Sequence, residues 1–258
     1  MVADSELGIV LIYPELLGTY GDRGNALALL RRAQRRGLAA RVVEVRVGDH
    51  LPRSGDVYLI GGSEDAAQVL ALRTLRHESG IRDILLGRAA CLAVCAGFQL
   101  LACEFAGADG HLQPGLGLLD VTCGRLPGRR SVGEVVAEPV GVPGLPTLTG
   151  YENHQSGAVL GPGARALGRV VRGTGNGHDG TEGAVQDNIV ATYLHGPVLV
   201  RNPALADYLL EQSTGPLTPF DDEAVEQLRS EHLAAARPRR PWLNARASRR
   251  PTGPSAQR

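Results

Sequence analysis

Short, wholly apolar runs alternate with amphipathic stretches through the first hundred residues. Residues 7–13 (LGIVLIY) are an unbroken apolar run, which predicts a strand buried on both faces. A glycine-containing turn over 18–25 follows, and residues 26–36 then carry apolar side chains at helical spacing. Residues 41–47 predict a second strand, and 57–60 (VYLI) a third, short and apolar, ending in Gly61-Gly62. Helices are expected over 65–76 and 81–87, a strand over 90–94, and a further helix over 98–105 beyond a turn at 95–97. Strands alternating with helices indicate an α/β fold: a mostly parallel central sheet with helices on both faces.

After Gly107 the texture changes to β-prone runs separated by Gly and Pro, at 117–122, 133–140, 165–171 and 184–194. These predict additional antiparallel or edge strands. Helices return over 203–212 and 221–236, the latter with Asp221 or Asp222 as natural N-cap. Residues 237–258 are rich in Arg, Pro and Ser with little to bury, and read as a tail that is disordered or ordered by a partner. Residues 1–236 are then one domain, without internal repeats.

With 258 residues, 43% of them hydrophobic, the chain can bury a sizeable core. Its formal net charge of zero recruits neither nucleic acid nor an anionic membrane. No lysine occurs anywhere. A Gly-Lys-Ser/Thr phosphate loop is therefore excluded, Schiff-base chemistry as well, and any ATP-dependent step is expected on another polypeptide. Cys91, Cys95, Cys103 and Cys123 form no Cys-x-x-Cys pair and follow no secretory leader, which implies a reduced, cytosolic setting. Their irregular spacing does not suit a structural zinc, and no metal is expected. The apolar stretch 7–12 is too short to span a membrane and follows Asp4 and Glu6 rather than positive charge.

Candidate chemistry centres on Cys95. Apolar residues lead into it and Gly97 follows, a relative of the small-x-nucleophile-x-Gly elbow between a strand and a helix. There the helix N-terminus would favour a thiolate. The competing reading is an inert packed cysteine, the commoner fate of a lone thiol near a strand end. His195 ends the apolar run 189–194 just before a Gly-Pro break, where a neutral imidazole could accept the Cys95 proton. Gly61-Gly62 would let backbone N–H groups approach a developing oxyanion. His154, in the polar run 150–155, is equally readable as a substrate-lining loop residue or as part of a hydrogen-bonded turn. His50, His77, His111, His178 and His232 have no convergent partner in the sequence and read as surface residues.

With Cys95, Gly61-Gly62 and His195 in this order, residues 5–212 resemble a class I glutamine amidotransferase domain of flavodoxin-like fold. The segments Tyr20-Gly-Asp-Arg-Gly-Asn25, Gly150-Tyr-Glu-Asn-His154 and Tyr193-Leu-His-Gly-Pro197 are similar to the cobyric acid synthase-like branch, and within it to the glutaminase subunits of lipid II isoglutaminyl synthases. The resemblance implies that Cys95 attacks the amide of L-glutamine and His195 shuttles the proton to departing ammonia. It implies oxyanion donors near Gly62 and Ala96, Gln99 on the substrate, and Arg130 as the clamp on the glutamine α-carboxylate. Two adjacent arginines, Arg129 and Arg130, would otherwise read as a solvated loop. The implied partner is a Mur ligase-like synthetase holding ATP and Mg and acting on lipid II at the inner membrane face, with no cofactor in this chain. A corrinoid acceptor and a catalytically silent scaffold are the alternatives, together with a peptidase or hydratase on the same fold. The wider family's His-x-Glu is absent, because Pro197 stands where the Glu would be. A third group, in one reading a carboxylate of the partner, must then orient His195.

Overall fold

The computed structural model describes residues 6–220 and 222–236. Strand β1 (Leu7–Ile12) leads through the predicted turn into helix α1 (Arg23–Arg35), which lays Ala26, Leu29 and Ala33 against the core. Strand β2 (Ala40–Val45), strand β3 (Val57–Ile60), helices α2 (Asp65–His77) and α3 (Ile81–Leu85) and strand β4 (Ala90–Val94) follow as the pattern predicts. Helix α4 (Ala96–Leu101) begins immediately after Cys95.

Helix α4 is shorter than expected. The chain becomes extended at Ala102 and forms strand β5 (Ala102–Ala106) instead of continuing to 105 as helix. All six residues of α4 are buried, so no solvent face carries the helix onward. Pairing of β5 with strands β6 (Leu112–Pro114) and β7 (Leu119–Arg125) overrides local helical preference.

The second half supplies strands β8 (Ser131–Pro139), β9 (Leu148–His154), β10 (Ser156–Leu160), β11 (Gly168–Arg172), β12 (Thr181–Glu182), β13 (Ala184–Gln186) and β14 (Ile189–Thr192). Two four-stranded sheets run in the orders β10-β7-β5-β6 and β12-β11-β8-β9. The run 184–194 is a hairpin rather than one strand, turning at Asp187 with φ 51°. Its second arm is no edge: β14 lies parallel beside β4 inside the main sheet.

That main sheet has the order β13-β14-β4-β3-β1-β2, with only β13 antiparallel. Strands β1, β3, β4 and β14 are buried along their whole length, which explains their unbroken apolar sequences. Helices α5 (Val198–Arg201), α6 (Pro203–Thr214) and α7 (Glu223–Ala236) complete the described chain. Phe220 lies under the guanidinium groups of Arg32, Arg35 and Arg36 at 4.8, 4.2 and 4.0 Å. Asp222 precedes α7 as expected of an N-cap, but its carboxylate pairs with Arg32 at 2.7 Å. Asp221 and the tail 237–258 lie outside the described residues.

Candidate active site

Strand β4 delivers Cys95 into a tight elbow: its φ of 53° and ψ of −102° are a conformation that non-glycine residues seldom adopt. The positive φ falls on the nucleophile itself and not on Gly97, where the sharp turn was expected. Gly97 is needed for a close approach, since a Cβ there would meet the Ile60 carbonyl oxygen at 2.4 Å. Its N–H also donates to the Gly61 carbonyl at 3.1 Å, tying the elbow to the end of β3.

His195 arrives from the other side of β4. Beyond β14 its backbone exchanges hydrogen bonds of 2.8 and 3.1 Å with Tyr151 of β9, which fixes the residue between two sheets. Gly62 lies beside both His195 and Cys95. A Cβ on Gly62 would stand 3.1 Å from His195 Cε1 and 3.5 Å from the Cys95 Cβ, so the two candidate catalytic residues meet at a single glycine. Both are buried, at 6% and 3% exposure. Neither ring nitrogen of His195 has a hydrogen-bond partner among the described residues.

Burial dominates the electrostatics. Desolvation, seconded by Asp22, pushes the Cys95 thiol up to about 12 against the smaller opposing effect of the Ala96 N–H. Desolvation also lowers His195 to about 4, helped by His154 and Arg130. The resting pair is therefore neutral thiol and neutral imidazole. The terminal helical N–H, expected to favour a thiolate, offsets only part of the cost of burying that charge.

Cys95 lines an open cleft whose walls also include Ala96, Gln99, Arg130, Asn153 and His154. Arg130 donates through Nε to Asn153 Oδ1 at 2.5 Å and through Nη2 to the Asn153 carbonyl at 2.9 Å and the Tyr20 hydroxyl at 3.2 Å. The predicted clamp thus stands within the same cleft as the thiol. Gln99 accepts from Gln68 at 2.6 Å and donates to Ser156 at 2.7 Å, a chain that fixes its amide on the wall. Gly62 departs from expectation: its N–H donates to Asp22 Oδ2 at 2.9 Å and is not free to receive an oxyanion in this state. The Ala96 N–H faces the sulfur.

His154 lies in neither a loop nor a turn, the two settings left open for it. It ends β9, lines the cleft, bonds the Ser156 carbonyl through Nδ1 at 2.6 Å and stacks on Tyr193 at 4.1 Å. His50, His77, His111, His178 and His232 are exposed, as expected. Among the described residues no group of three or more His, Cys, Asp or Glu is placed to hold a metal ion.

Sequence reasoning missed Tyr20, Asp22 and Asn153 as parts of the site. Tyr20 packs against His195, with ring centroids 4.4 Å apart and the ring planes tilted by 48°. Asp22 is a buried carboxyl raised to about 6 by desolvation, against hydrogen bonds from Gly62 and Asn25. The signal was the polar Tyr-Gly-Asp-Arg-Gly-Asn turn between a buried strand and a helix, which carried the resemblance without being given a role.

Comparison with known proteins agrees with this geometry. The chain is 33% identical over 211 residues to the subunit GatD of lipid II isoglutaminyl synthase (glutamine-hydrolysing) from Staphylococcus aureus strain N315, covering 81% of this chain and 84% of that protein. It is 30% identical to cobyric acid synthase from Pelotomaculum thermopropionicum, covering 81% of this chain but 40% of that longer protein. The glutaminase domain of the Trypanosoma brucei CTPS superposes with a TM-score of 0.52 at 11% identity, covering 83% of this chain and 96% of that one, which shows a shared fold. The model of the CobB/CobQ-like glutamine amidotransferase domain matches residues 8–203, a stretch that holds the thiol, the imidazole and Arg130 alike, and the chain belongs to that family.

Proposed function

We propose that this chain hydrolyses L-glutamine through a Cys95 thioester and supplies the ammonia to a separate ATP-dependent synthetase. The observation that carries it is the convergence of Cys95 and His195 on one glycine, Gly62, beside a cleft that contains Arg130. Arg130 receives the α-carboxylate, which aims the side-chain amide at the elbow. His195, neutral at rest, takes the thiol proton as sulfur bonds to the amide carbon, so charge separates only in the step that needs it. The imidazolium returns that proton to the departing nitrogen and ammonia leaves a γ-glutamyl thioester. Water, deprotonated by the same imidazole, adds to the thioester; glutamate departs and the proton returns to sulfur. Backbone N–H groups near Ala96 and Gly62 stabilise the oxyanion, the latter once Asp22 releases it.

In the finer reading, the acceptor is the α-carboxylate of D-glutamate in the lipid II stem peptide, amidated to D-isoglutamine. It rests on the 33% identity to a protein named as a lipid II isoglutaminyl synthase subunit. A chain with no lysine cannot use a Walker-type loop, so ATP and Mg belong to the partner, a Mur ligase-like synthetase. No helix among the described residues is long and apolar enough to cross a membrane. The chain then works in the cytoplasm and meets the inner membrane face through that partner. The bare imidazole nitrogens of His195, with Pro197 two residues on, support a partner carboxylate as its orienting group.

The test is to purify the native chain with its bound proteins and supply ATP, lipid II and glutamine labelled with ¹⁵N in the amide. Label in the stem peptide is the expected result. A corrinoid enzyme as partner, with lipid II unlabelled, overturns the acceptor; no consumption of glutamine overturns the hydrolysis itself. Equal turnover by the chain alone and by the complex overturns the partner carboxylate.

A further inference from the structure

The turn over residues 18–25 carries more than the reaction above uses. Its base is fixed: Asp22 accepts from the Gly62 N–H, Thr19 donates to the Gly62 carbonyl at 3.2 Å, and Asn25 Oδ1 accepts from the Leu199 N–H at 3.0 Å. Its crest carries Tyr20, whose ring packs against the His195 imidazole at a tilt of 48° and whose edge a Cβ on Gly62 would meet at 2.8 Å. The Tyr20 hydroxyl donates to Glu64 Oε1 at 3.1 Å and accepts from Arg130 Nη2 at 3.2 Å. One phenol thus bridges a cation and an anion on the rim of the cleft into which Cys95 opens. An α-amino acid brings the complementary pair, a carboxylate for Arg130 and an ammonium for Glu64.

We propose that Tyr20 is a positioning residue displaced by substrate: the α-carboxylate and α-ammonium of glutamine take Arg130 and Glu64 from its hydroxyl, and the released ring uncovers His195. The proposal rests on the reading that Arg130 receives the α-carboxylate. Hydrogen bonds between two charged groups are stronger than those either makes to a neutral phenol, so the exchange favours the amino acid. Without glutamine the ring stays against the imidazole. With glutamine the imidazole becomes reachable by an orienting group from outside the chain, so occupancy and completion of the site are coupled.

The experiment uses the full-length chain and a chloromethyl ketone analogue of glutamine, which forms a carbon–sulfur bond at Cys95 as chloride leaves and the thiol proton is lost. Labelling is read on the Cys95 peptide by mass spectrometry, with iodoacetamide, which lacks both α-charges, as the reference reagent. Tyr20→Phe keeps the ring but removes the competing hydroxyl. It is expected to lower the KI of the analogue roughly three- to ten-fold, the scale of one net hydrogen bond, without an equal gain for iodoacetamide. Tyr20→Ala removes the cover and speeds both reagents. An unchanged or higher KI in Tyr20→Phe overturns the proposal, and so does an equal gain for both reagents, which would mark mere steric cover. Arg130→Ala separates the two readings. If it leaves the KI intact, the α-carboxylate assignment fails; if it raises the KI while Tyr20→Phe changes nothing, only the displacement fails.

Discussion

Cys95 and Arg130 share one cleft but are held by opposite kinds of structure. Cys95 ends a fully buried strand between two parallel neighbours, and its N–H donates to the Thr192 carbonyl at 2.9 Å. Arg130 is exposed on the connection between β7 and β8, held among the described residues only by Asn153 and a turn tyrosine. Bond making tolerates errors of tenths of an ångström, so the reacting atom sits on the sheet. Recognition of a charge tolerates slack, and a side chain on a loop can exchange its resting partners for a ligand.

The sheet-borne wall should therefore fail abruptly and the loop-borne wall gradually. Cys95→Ala is expected to cut glutamine turnover by roughly a thousand-fold or more while the fold survives, because only the sulfur carries the acyl group. Turnover surviving in this variant would place the nucleophile elsewhere. Gly62→Ala comes next, since its methyl would stand 2.8 Å from Tyr20, 3.1 Å from His195 and 3.5 Å from Cys95. Prising that trio apart should cost about a hundred-fold in kcat, the usual penalty for misplacing reacting groups by about an ångström.

Asp22, behind that wall, makes a smaller, pH-dependent difference. Its pKa is raised in the folded chain from 3.8 to about 6, so the fold binds a proton that the unfolded chain has already lost. The carboxyl's cost to the fold is absent below the lower value and complete above the upper one. Asp22→Asn should gain stability relative to wild type as pH rises through that window, by at most about 3 kcal/mol. Urea unfolding of both proteins at pH 4 and 7 measures it, and a constant difference contradicts it. Smallest of all is Arg129→Ala: this exposed neighbour of Arg130 is expected to shift KM for glutamine less than about two-fold. A large rise there would mean the wrong arginine was chosen.

Much of the parallel sheet was legible because β1, β3 and β4 are buried on both faces and must be apolar throughout. The elbow was legible for the same reason, as a buried strand stopping at a thiol and a glycine. The polar strand β9 was not. Its Tyr-Glu-Asn-His reads as a loop in isolation and becomes a strand only through seven paired positions with β8. The end of α4 was hidden likewise, since β5 exists by pairing with strands further along the chain. Tyr20 and Asp22 could not be assigned because their partners, Glu64, Arg130, His195 and Gly62, are 40 or more positions away. The neutral state of the thiol depended on burial depth, which no local motif reports.

The φ of 53° at residue 95 also limits which nucleophiles the scaffold can host. An oxygen could replace the sulfur there as serine, which places no second heavy atom on its Cβ. Threonine, branched at that carbon, would clash with its own main chain. The elbow thus permits an exchange of element and forbids one added methyl, a restriction set before any substrate arrives.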